Sequence, residues 1–511
     1  MTSRTHARAV APPPARARSG RWIDRWEPEN EQFWELTGRW IARRNLVLSI
    51  LAENLGFSIW VLWTVVVINL ANVGVTVSLG DQFLLTAVPA FIGSLLRVPY
   101  TFAVPRFGGR AWTTFSASLL LIPCVLLAVV VPSDWLAHQS HDTQLWVLLA
   151  CAATAGVGGG NFSSSMANIS FFFPERRKGL ALGLNAAGGN IGVAMCQLIV
   201  PLVIVIGVPA AAVKLPVHPV HLAYAGLVWL PLIVLAAVCA WTRMDSLTEA
   251  RADMGPYRRA LSNGQTWVIS LLYVGTFGSF IGYSFALPLV IKNTFPVFLA
   301  HHSFIATYLA GLGFVGALVG SLARPLGGWV SDRLGGGRVT FWSFVGMAAF
   351  TATAIVGVSR HSFALFFASY VFVFLFSGAG NGSTYRMIPS IFAALARRRG
   401  GAPLEYKRRA AAAIGIAGAV GAFGGCLIQV AFRQASLPVV TAMARAAKTI
   451  TAKPELAAAK AHIAAAHATW SIPALWVFLV AYVLLGALTW FYYVRSSVLS
   501  DRFPSLAAEA V

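Results

Sequence analysis

The sequence runs to 511 residues, of which 57% are hydrophobic and only 11% charged, a balance that excludes a soluble globular enzyme and leaves an integral membrane protein. A formal net charge of +21 does not point to nucleic acid, because the basic residues are dispersed between apolar runs rather than gathered on one soluble domain. The five cysteines, Cys124, Cys151, Cys196, Cys239 and Cys426, all fall inside apolar runs without metal-ligand spacing, so no disulfide framework, metal site or cofactor is implied.

In chain order, the first 20 residues are rich in Arg, Pro and Ala with no apolar core ahead of a cleavage site, so they read as a disordered tail rather than a signal peptide. The piece from Trp26 to Trp40, with Glu27 and Glu29 among its tryptophans, reads as a segment lying on the membrane surface. Beyond it, uncharged runs recur at 46–70, 83–104, 112–131, 145–173, 179–207, 222–241, 267–291, 304–330, 339–358, 362–392, 411–432 and 472–494. Each is near the roughly 20 residues that a helix needs to cross hydrocarbon. These are twelve predicted transmembrane helices.

The loop charges orient them. Arg39, Arg43 and Arg44, Arg106 and Arg110, Arg176, Arg177 and Lys178, Arg243, Arg251, Arg258 and Arg259, Arg333 and Arg338, and the run from Arg397 to Arg409 all fall on one side. The positive-inside rule makes that side the cytoplasm, and both termini lie there too. Lys214 and Arg360 are lone outer charges, while the outer connection 433–469 carries Arg445, Lys448, Lys453 and Lys460. A long loop obeys the rule poorly, and this one is Ala-rich and helix-prone.

The fourth run holds small and polar residues, Gly158-Gly159-Gly160-Asn161-Phe162-Ser163-Ser164-Ser165, of the kind that lets helices approach closely and bond across one another. It also belongs to an internal repeat. Arg97 precedes Arg106-Phe107-Gly108-Gly109-Arg110 just as Arg324 precedes Arg333-Leu334-Gly335-Gly336-Gly337-Arg338. Gly160-Asn161-Phe162-Ser163-Ser164 matches Gly380-Asn381-Gly382-Ser383-Thr384, and Gly183, Gly189 and Gly192 are echoed by Gly415, Gly421 and Gly424. Three matched pairs in one order imply an all-α membrane protein of two pseudo-symmetric six-helix halves. The expected organisation is a basic tail 1–45, a first half 46–243, a cytoplasmic linker 244–266, a second half 267–496 and a tail 497–511. Such parallel halves are the architecture of transporters that rock around a midplane site.

On these residues a resemblance becomes specific. Gly328-Trp329-Val330-Ser331-Asp332-Arg333-Leu334-Gly335 is similar to the loop signature of the major facilitator superfamily. Gly160 to Pro174, Gly183-Leu184-Asn185-Ala186-Ala187-Gly188-Gly189-Asn190-Ile191-Gly192, and Leu96-Arg97-Val98-Pro99-Tyr100 resemble the nitrate/nitrite porter family within it. The resemblance runs from about Arg44 to the last span. Ala187 departs from the family's glycine helix, in which a glycine is common at that place.

An Arg at the centre of a span costs about 3 kcal/mol on insertion scales, so Arg97 and Arg324 need a role. As symmetry mates in the second and eighth spans they face one another across the central cavity. Two planar guanidinium forks suit a small planar oxyanion; the structural alternative is that each pairs with a membrane carboxylate or helix-end carbonyls. The resemblance implies that these two clamp the anion. It also implies that Asn190 and Tyr273 donate hydrogen bonds to it and that Phe162 and Phe277 sandwich it.

Glu53, the one carboxylate clearly inside a predicted span, lies nine residues past Arg44, or about 13 Å along the helix. It is the candidate for proton coupling, against the alternative that it bonds neighbouring helix polar groups such as the Asn54 amide or reaches the cytoplasmic interface. Asp332 with Arg333 and Arg338 reads as a gate latch or as a solvated loop. Arg386 reads as an exit-path anion stop or as a snorkelling or interhelix structural Arg.

The implied function is alternating-access transport of nitrate, nitrite or both across the inner (plasma) membrane. Nitrate/nitrite exchange is the basic activity and proton-coupled nitrate uptake a second mode. The expected partners are nitrate, nitrite, protons and the bilayer, with no nucleic acid, no cofactor and no enzymatic step. The alternatives are a carrier of another small anion and a non-transporting sensor or assembly partner of a nitrate-using enzyme.

Overall fold

The computed structural model describes residues 17–18, 21–206, 220–250, 254–400, 402–450, 452–495 and 506. Lys214, Arg251, the remainder of the first 20 residues and the 497–511 tail apart from Leu506 lie outside the described residues. Among the described residues twelve helices are long and apolar enough to cross a membrane. They are α1 (Arg39–Trp60, resumed at Trp63–Asn69), α2 (Leu79–Phe107), α3 (Gly109–Leu119, resumed at Leu121–Val130), α4 (His141–Phe172), α5 (Glu175–Ile206) and α6 (Tyr224–Leu227, resumed at Leu230–Arg243). The second set is α7 (Gly264–Thr294), α8 (Gly313–Leu334), α9 (Gly336–Ser359), α10 (Phe363–Arg399), α11 (Pro403–Thr449) and α12 (Ile472–Thr489).

Local chemistry sets the helix ends. Ser78, Ser140, Asn263 and Ser362 cap α2, α4, α7 and α10 by accepting a backbone N–H of the first turn, which satisfies a donor that the helix itself cannot. The two repeated loops turn the same way for the same reason. Gly108 between α2 and α3 and Gly335 between α8 and α9 have φ of 84° and 86°, a conformation open to glycine and strained for other residues.

Three stretches differ from the sequence expectation. The run predicted at 304–330 is broken: short helices Pro296–His301 and Ser303–Tyr308 precede α8, and the chain turns through positive φ at Ala310, Gly311 and Leu312. The predicted span 411–432 is the middle of a 47-residue α11, which carries much of the expected outer loop as helix and is followed by Lys453–Ala466. The Trp26–Trp40 piece is not a free surface segment. Trp26 and Trp34 are buried against Phe172 and Phe173 at the end of α4, while Glu31 and Glu35 pair with Arg176 and Arg177 at the start of α5.

Of the first 20 residues, Ala17–Arg18 form a strand, β1, antiparallel to β2 (Trp22–Ile23). β2 in turn runs parallel to β3 (Ser246–Leu247) in the α6–α7 connection. Arg21, Arg44 and Asn45 all bond the Asp245 carboxylate there. This face is called the linker side below.

The repeat is also a repeat of packing. In the first half α5 lies on α1. A Cβ on Gly189 would meet Glu53 Cγ and Oε1 at 2.7 Å, and one on Gly192 would meet the Asn54 carbonyl and Ser58. In the second half α11 lies on α7 in the same way, with Gly421 against the Tyr273 ring and Gly424 against Val274 O and Gly278. Helix backbones come this close only where the interface residue is small. The pairing makes Glu53 and Tyr273 equivalent positions of the two halves. The first glycines of the two triplets do not share this contact: nothing lies within 4 Å of a Cβ on Gly183, while Gly415 approaches Thr101.

Candidate functional site

Arg97 on α2 and Arg324 on α8 are both buried. Arg97 donates from Nε to Gly159 O at 3.0 Å and from Nη1 to Gly418 O at 2.8 Å. Its guanidinium carbon lies 4.6 Å from the Phe162 ring centre, 4.8 Å from Phe277 and 5.2 Å from Trp60. Arg324 donates from Nη2 to the Tyr273 hydroxyl at 3.2 Å and lies 5.3 Å from Phe162, 5.9 Å from Phe277 and 5.5 Å from Tyr385.

The two guanidiniums thus reach the same two rings from opposite halves. Among the described residues no carboxylate bonds either of them, and Arg97 Nη2 and Arg324 Nη1 are buried without a partner. Carbonyls occupy two of the Arg97 donors, but they belong to the interiors of α4 and α11 rather than to helix ends. The unsatisfied donors are what a site for an anion presents.

Asn190 on α5 is fully buried and neither atom of its amide is bonded. The same holds for Asn161 and Asn381, the matching residues of α4 and α10. Sequence reasoning used that pair as evidence of the repeat and passed over it as site chemistry. Trp60, Phe57 and Tyr385 were passed over as well. The signal for Phe57 was present, since it follows Glu53 by four residues as Phe277 follows Tyr273. Tyr385 stands one place before Arg386, the residue that drew attention.

Tyr273 accepts from Arg324 and keeps its own proton to donate, and its ring stacks on Phe277 at 5.3 Å. A sandwich of an anion by Phe162 and Phe277 requires these rings to part. The rings stack directly at 5.9 Å, less than the ~7 Å that a flat anion between them requires from two carbon contacts.

Glu53 is buried on α1, where Ser165 of α4 donates to its Oε2 and Asn185 Nδ2 of α5 donates to the same oxygen at 2.8 Å. The alternative of bonds to neighbouring helix polar groups is thus met by Ser165 and Asn185, though not by Asn54, whose amide donates to Gly188 O instead. The Glu53 side chain does not reach the interface. Glu53 Oε1 and Asn185 Oδ1 lack partners.

The latch is composed differently from its expectation. Asp332 Oδ1 of α8 pairs with Arg386 Nε of α10 at 2.5 Å, so Arg386 takes the interhelix structural role that the sequence offered as one alternative. Among the described residues Arg333 and Arg338 make no ion pair with Asp332, and Arg333 lies over the Trp329 ring at 3.9 Å. One helical turn separates Asp332 from the ring-stacked Trp329 face, which draws Arg333 away.

A cavity of about 360 Å³ opens below this site on the linker side, with Thr101, Phe162, Met166, Tyr257, Tyr385 and Arg408 in its wall. On the far side the halves meet. Thr86 donates to Gln429 at 2.9 Å, Gln429 to Gly282 O at 2.7 Å and Gln197 to Ser284 O at 2.6 Å. Phe83 stacks on Phe432, and Trp60 packs edge-on to Phe285. The site is therefore open toward the linker side and closed on the other.

Residues 45–428 match the family model of the Major Facilitator Superfamily. The nitrate/nitrite transporter NarU of Escherichia coli (strain K12) is 40% identical over 427 residues, 80% of this chain and 88% of that protein. The probable nitrate/nitrite antiporter NarK2 of Thermus thermophilus is 36% identical over 420 residues, 79% of this chain and 88% of that one. Among solved structures, a D-xylose-proton symporter superposes with a TM-score of 0.60 at 16% identity, covering 88% of this chain and 97% of its own. A bacterial homologue of the lysosomal transporter Spinster, inward-facing and occupied, gives 0.60 at 16%, covering 87% and 95%. At such identity the likeness of structure concerns the fold alone.

Proposed function

We propose a function from one premise: this chain belongs to the major facilitator superfamily and, within it, to the nitrate/nitrite porter family. It is a transporter of nitrate and nitrite, and it moves them by alternating access without covalent change. The observation that carries the reading is the convergence of Arg97 and Arg324 on Phe162 and Phe277, each with a buried donor left unpaired and no bonded carboxylate. Asn190 and Tyr273 complete the ring of donors around the anion. Phe162 and Phe277 part to admit it and close on it.

The rocking bodies are the six-helix halves 46–243 and 267–496, joined by the linker 244–266. The linker side is the cytoplasm, on the evidence of its Arg-rich loops, so both termini are cytoplasmic and the protein sits in the inner (plasma) membrane. Asp332 and Arg386 form a latch on that side, with Arg333 and Arg338 beside it.

Exchange follows from charge. Two guanidiniums without an anion hold surplus positive charge in a medium of low dielectric, which opposes closure of the empty site. One bound anion relieves it, so each crossing carries an anion and the halves exchange nitrate for nitrite. Glu53 supplies a second mode. Its charge interacts with both guanidiniums, and ionised it competes with the anion for them. A proton on Glu53 removes that competition, so proton and nitrate bind together and leave together.

Uptake of labelled nitrate into proteoliposomes decides this. Internal nitrite is expected to drive uptake in wild type and in Glu53→Gln alike, whereas a pH gradient alone drives it only in wild type. Absence of nitrite-driven uptake would overturn the transport reading and favour a sensor or assembly role. Equal transport of larger anions would favour a broader carrier. Gradient-driven uptake unchanged by Glu53→Gln would remove Glu53 from coupling.

A further inference from the structure

The anion has an evident way to the cytoplasm, the cavity beneath Phe162 and Tyr385, but Glu53 does not share it. The cavity wall includes Phe162, Met166 and Ser170 of α4 and omits Glu53, Ser165 and Asn185. Ser165 points to the other face of α4, toward α1, and Asn185 Nδ2 lies 3.5 Å from the sulfur of Met166, whose side chain lines the cavity. In this cytoplasm-open arrangement the Met166 side chain of α4 stands between the cavity and the group of Asn185, Ser165 and Glu53.

A second route is built along α1. Asn45, Ser49 and Glu53 follow one another at intervals of four residues and are all buried, so they form a polar stripe on one helix face. Three buried polar residues in a row on a spanning helix are costly unless each is bonded. Here bonds link Glu53 to Ser49 through Ser165, and Asn45 is bonded separately to Asp245. Ser165 donates to Glu53 Oε2, Ser165 and Ser49 lie 2.9 Å apart, oxygen to oxygen, and Asn45 Nδ2 donates to Asp245 Oδ2 at 2.9 Å. Asp245 also holds Arg44, whose side chain is 39% exposed. The stripe therefore runs from a carboxyl deep in the bundle to water.

We propose that Glu53 exchanges its proton with the cytoplasm along this α1–α4 seam, through Ser165 and Ser49 toward Asn45 and Asp245, apart from the cavity by which the anion leaves. The inference rests on the reading of Glu53 as the coupling group. Hydroxyls suit the relay because each both accepts and donates a hydrogen bond, and in the Ser49–Ser165 pair either oxygen can be the donor. The protonated carboxyl gives its proton to Ser165 Oγ as the Ser165 proton passes to Ser49 Oγ and the Ser49 proton passes to water. Glu53 is left as carboxylate, both serines are restored as hydroxyls, and the water leaves as hydronium.

One turn, about 6 Å, separates Ser49 from Asn45, and the proposed route requires a water entering from the Arg44 side to cross it. Asp245 anchors the end of the route rather than taking the proton, because Arg21 and Arg44 hold its carboxylate. The charged and titratable groups around Glu53 itself are Arg97, Arg324, Tyr273 and Tyr385. All belong to the anion site, so an arriving or departing anion biases the proton without sharing its path.

The test uses the full chain in proteoliposomes with a trapped pH indicator, and compares Ser49→Thr with Ser49→Val, which have the same shape and differ by the hydroxyl. Nitrite-driven nitrate uptake reports folding and is expected to agree within about twofold between them, while gradient-driven uptake and internal acidification fall by roughly tenfold or more in Ser49→Val only. Ser49→Ala is expected to behave as Ser49→Val. If both hydroxyl-free variants keep wild-type gradient-driven rates while Glu53→Gln abolishes them, the seam is wrong and the coupling role of Glu53 stands. If Glu53→Gln leaves gradient-driven uptake intact, both fall.

Discussion

The two halves of this protein pack alike and are furnished differently. Gly189 and Gly192 of α5 press on Glu53 and Asn54 of α1 as Gly421 and Gly424 of α11 press on Tyr273 and Val274 of α7. Ser165 bonds Glu53 where its counterpart Tyr385 places its ring 5.7 Å from Tyr273. Asn185, which also bonds Glu53, is matched in α11 by the buried Ala417. The first half thus fills its equivalent pocket with a hydrogen-bonded carboxyl, and the second fills it with stacked aromatics beside Arg324. A duplicated backbone fixes where two pockets stand, and divergence of side chains then separates a hydrogen-bonded carboxyl from a stacked aromatic wall.

The largest expected effect tests what the halves still share. Arg97→Lys and Arg324→Lys each replace a fork by a point charge and should weaken nitrate binding in detergent by about 3 kcal/mol, or roughly 100-fold. A loss confined to one of the two would break the symmetry of the clamp.

Next is Asn190→Ala, which acts on the first half alone because the matching residue is Ala422. Removing one hydrogen bond to a charged ligand should cost about 2 kcal/mol in affinity for both anions, and unchanged isothermal titration would take Asn190 out of the site.

A pair of glycine variants separates the two pockets. Gly421→Ala forces the Tyr273 ring, which is rigid and stacked on Phe277, and should cost about 1.5 kcal/mol of anion affinity by overpacking. Gly189→Ala meets the flexible end of Glu53 and should leave affinity nearly unchanged while slowing gradient-driven uptake. Equal loss of affinity in both would show that the pockets are not specialised.

Tyr273→Phe, removing only a hydroxyl, should weaken nitrate by about 1 kcal/mol. Smallest of all, Asp332→Asn breaks a half-exposed pair with Arg386 and should change affinity by less than about 1 kcal/mol, with its effect seen in the rate of exchange.

Twelve spans, their division into two halves and the matched motifs were legible because hydrocarbon demands long uncharged helices and because a repeat leaves its spacing in the chain. Arg97 and Arg324 stood out on cost alone, since a charge has no cheap place inside a span. Helix ends were less legible: the continuation of α11 to Thr449 and the break at Ala310–Leu312 lie where apolarity no longer discriminates.

Partners belonged to the tertiary structure. Which group holds Glu53 depends on helix rotation, which turns Asn54 toward Gly188 and brings Ser165 and Asn185 to the carboxyl. Which base holds Asp332 depends on the approach of α10 to α8, and it is Arg386 rather than Arg333 beside it or Arg338 at the start of α9. That the Phe162 and Phe277 rings lie in contact, with the cavity below and the seal above, is a property of one position of the two halves. Sequence by itself determined which residues are too costly to be idle, because that cost is paid residue by residue against the bilayer; only the folded chain decided which of them meet, because a meeting depends on how two helices are turned toward each other.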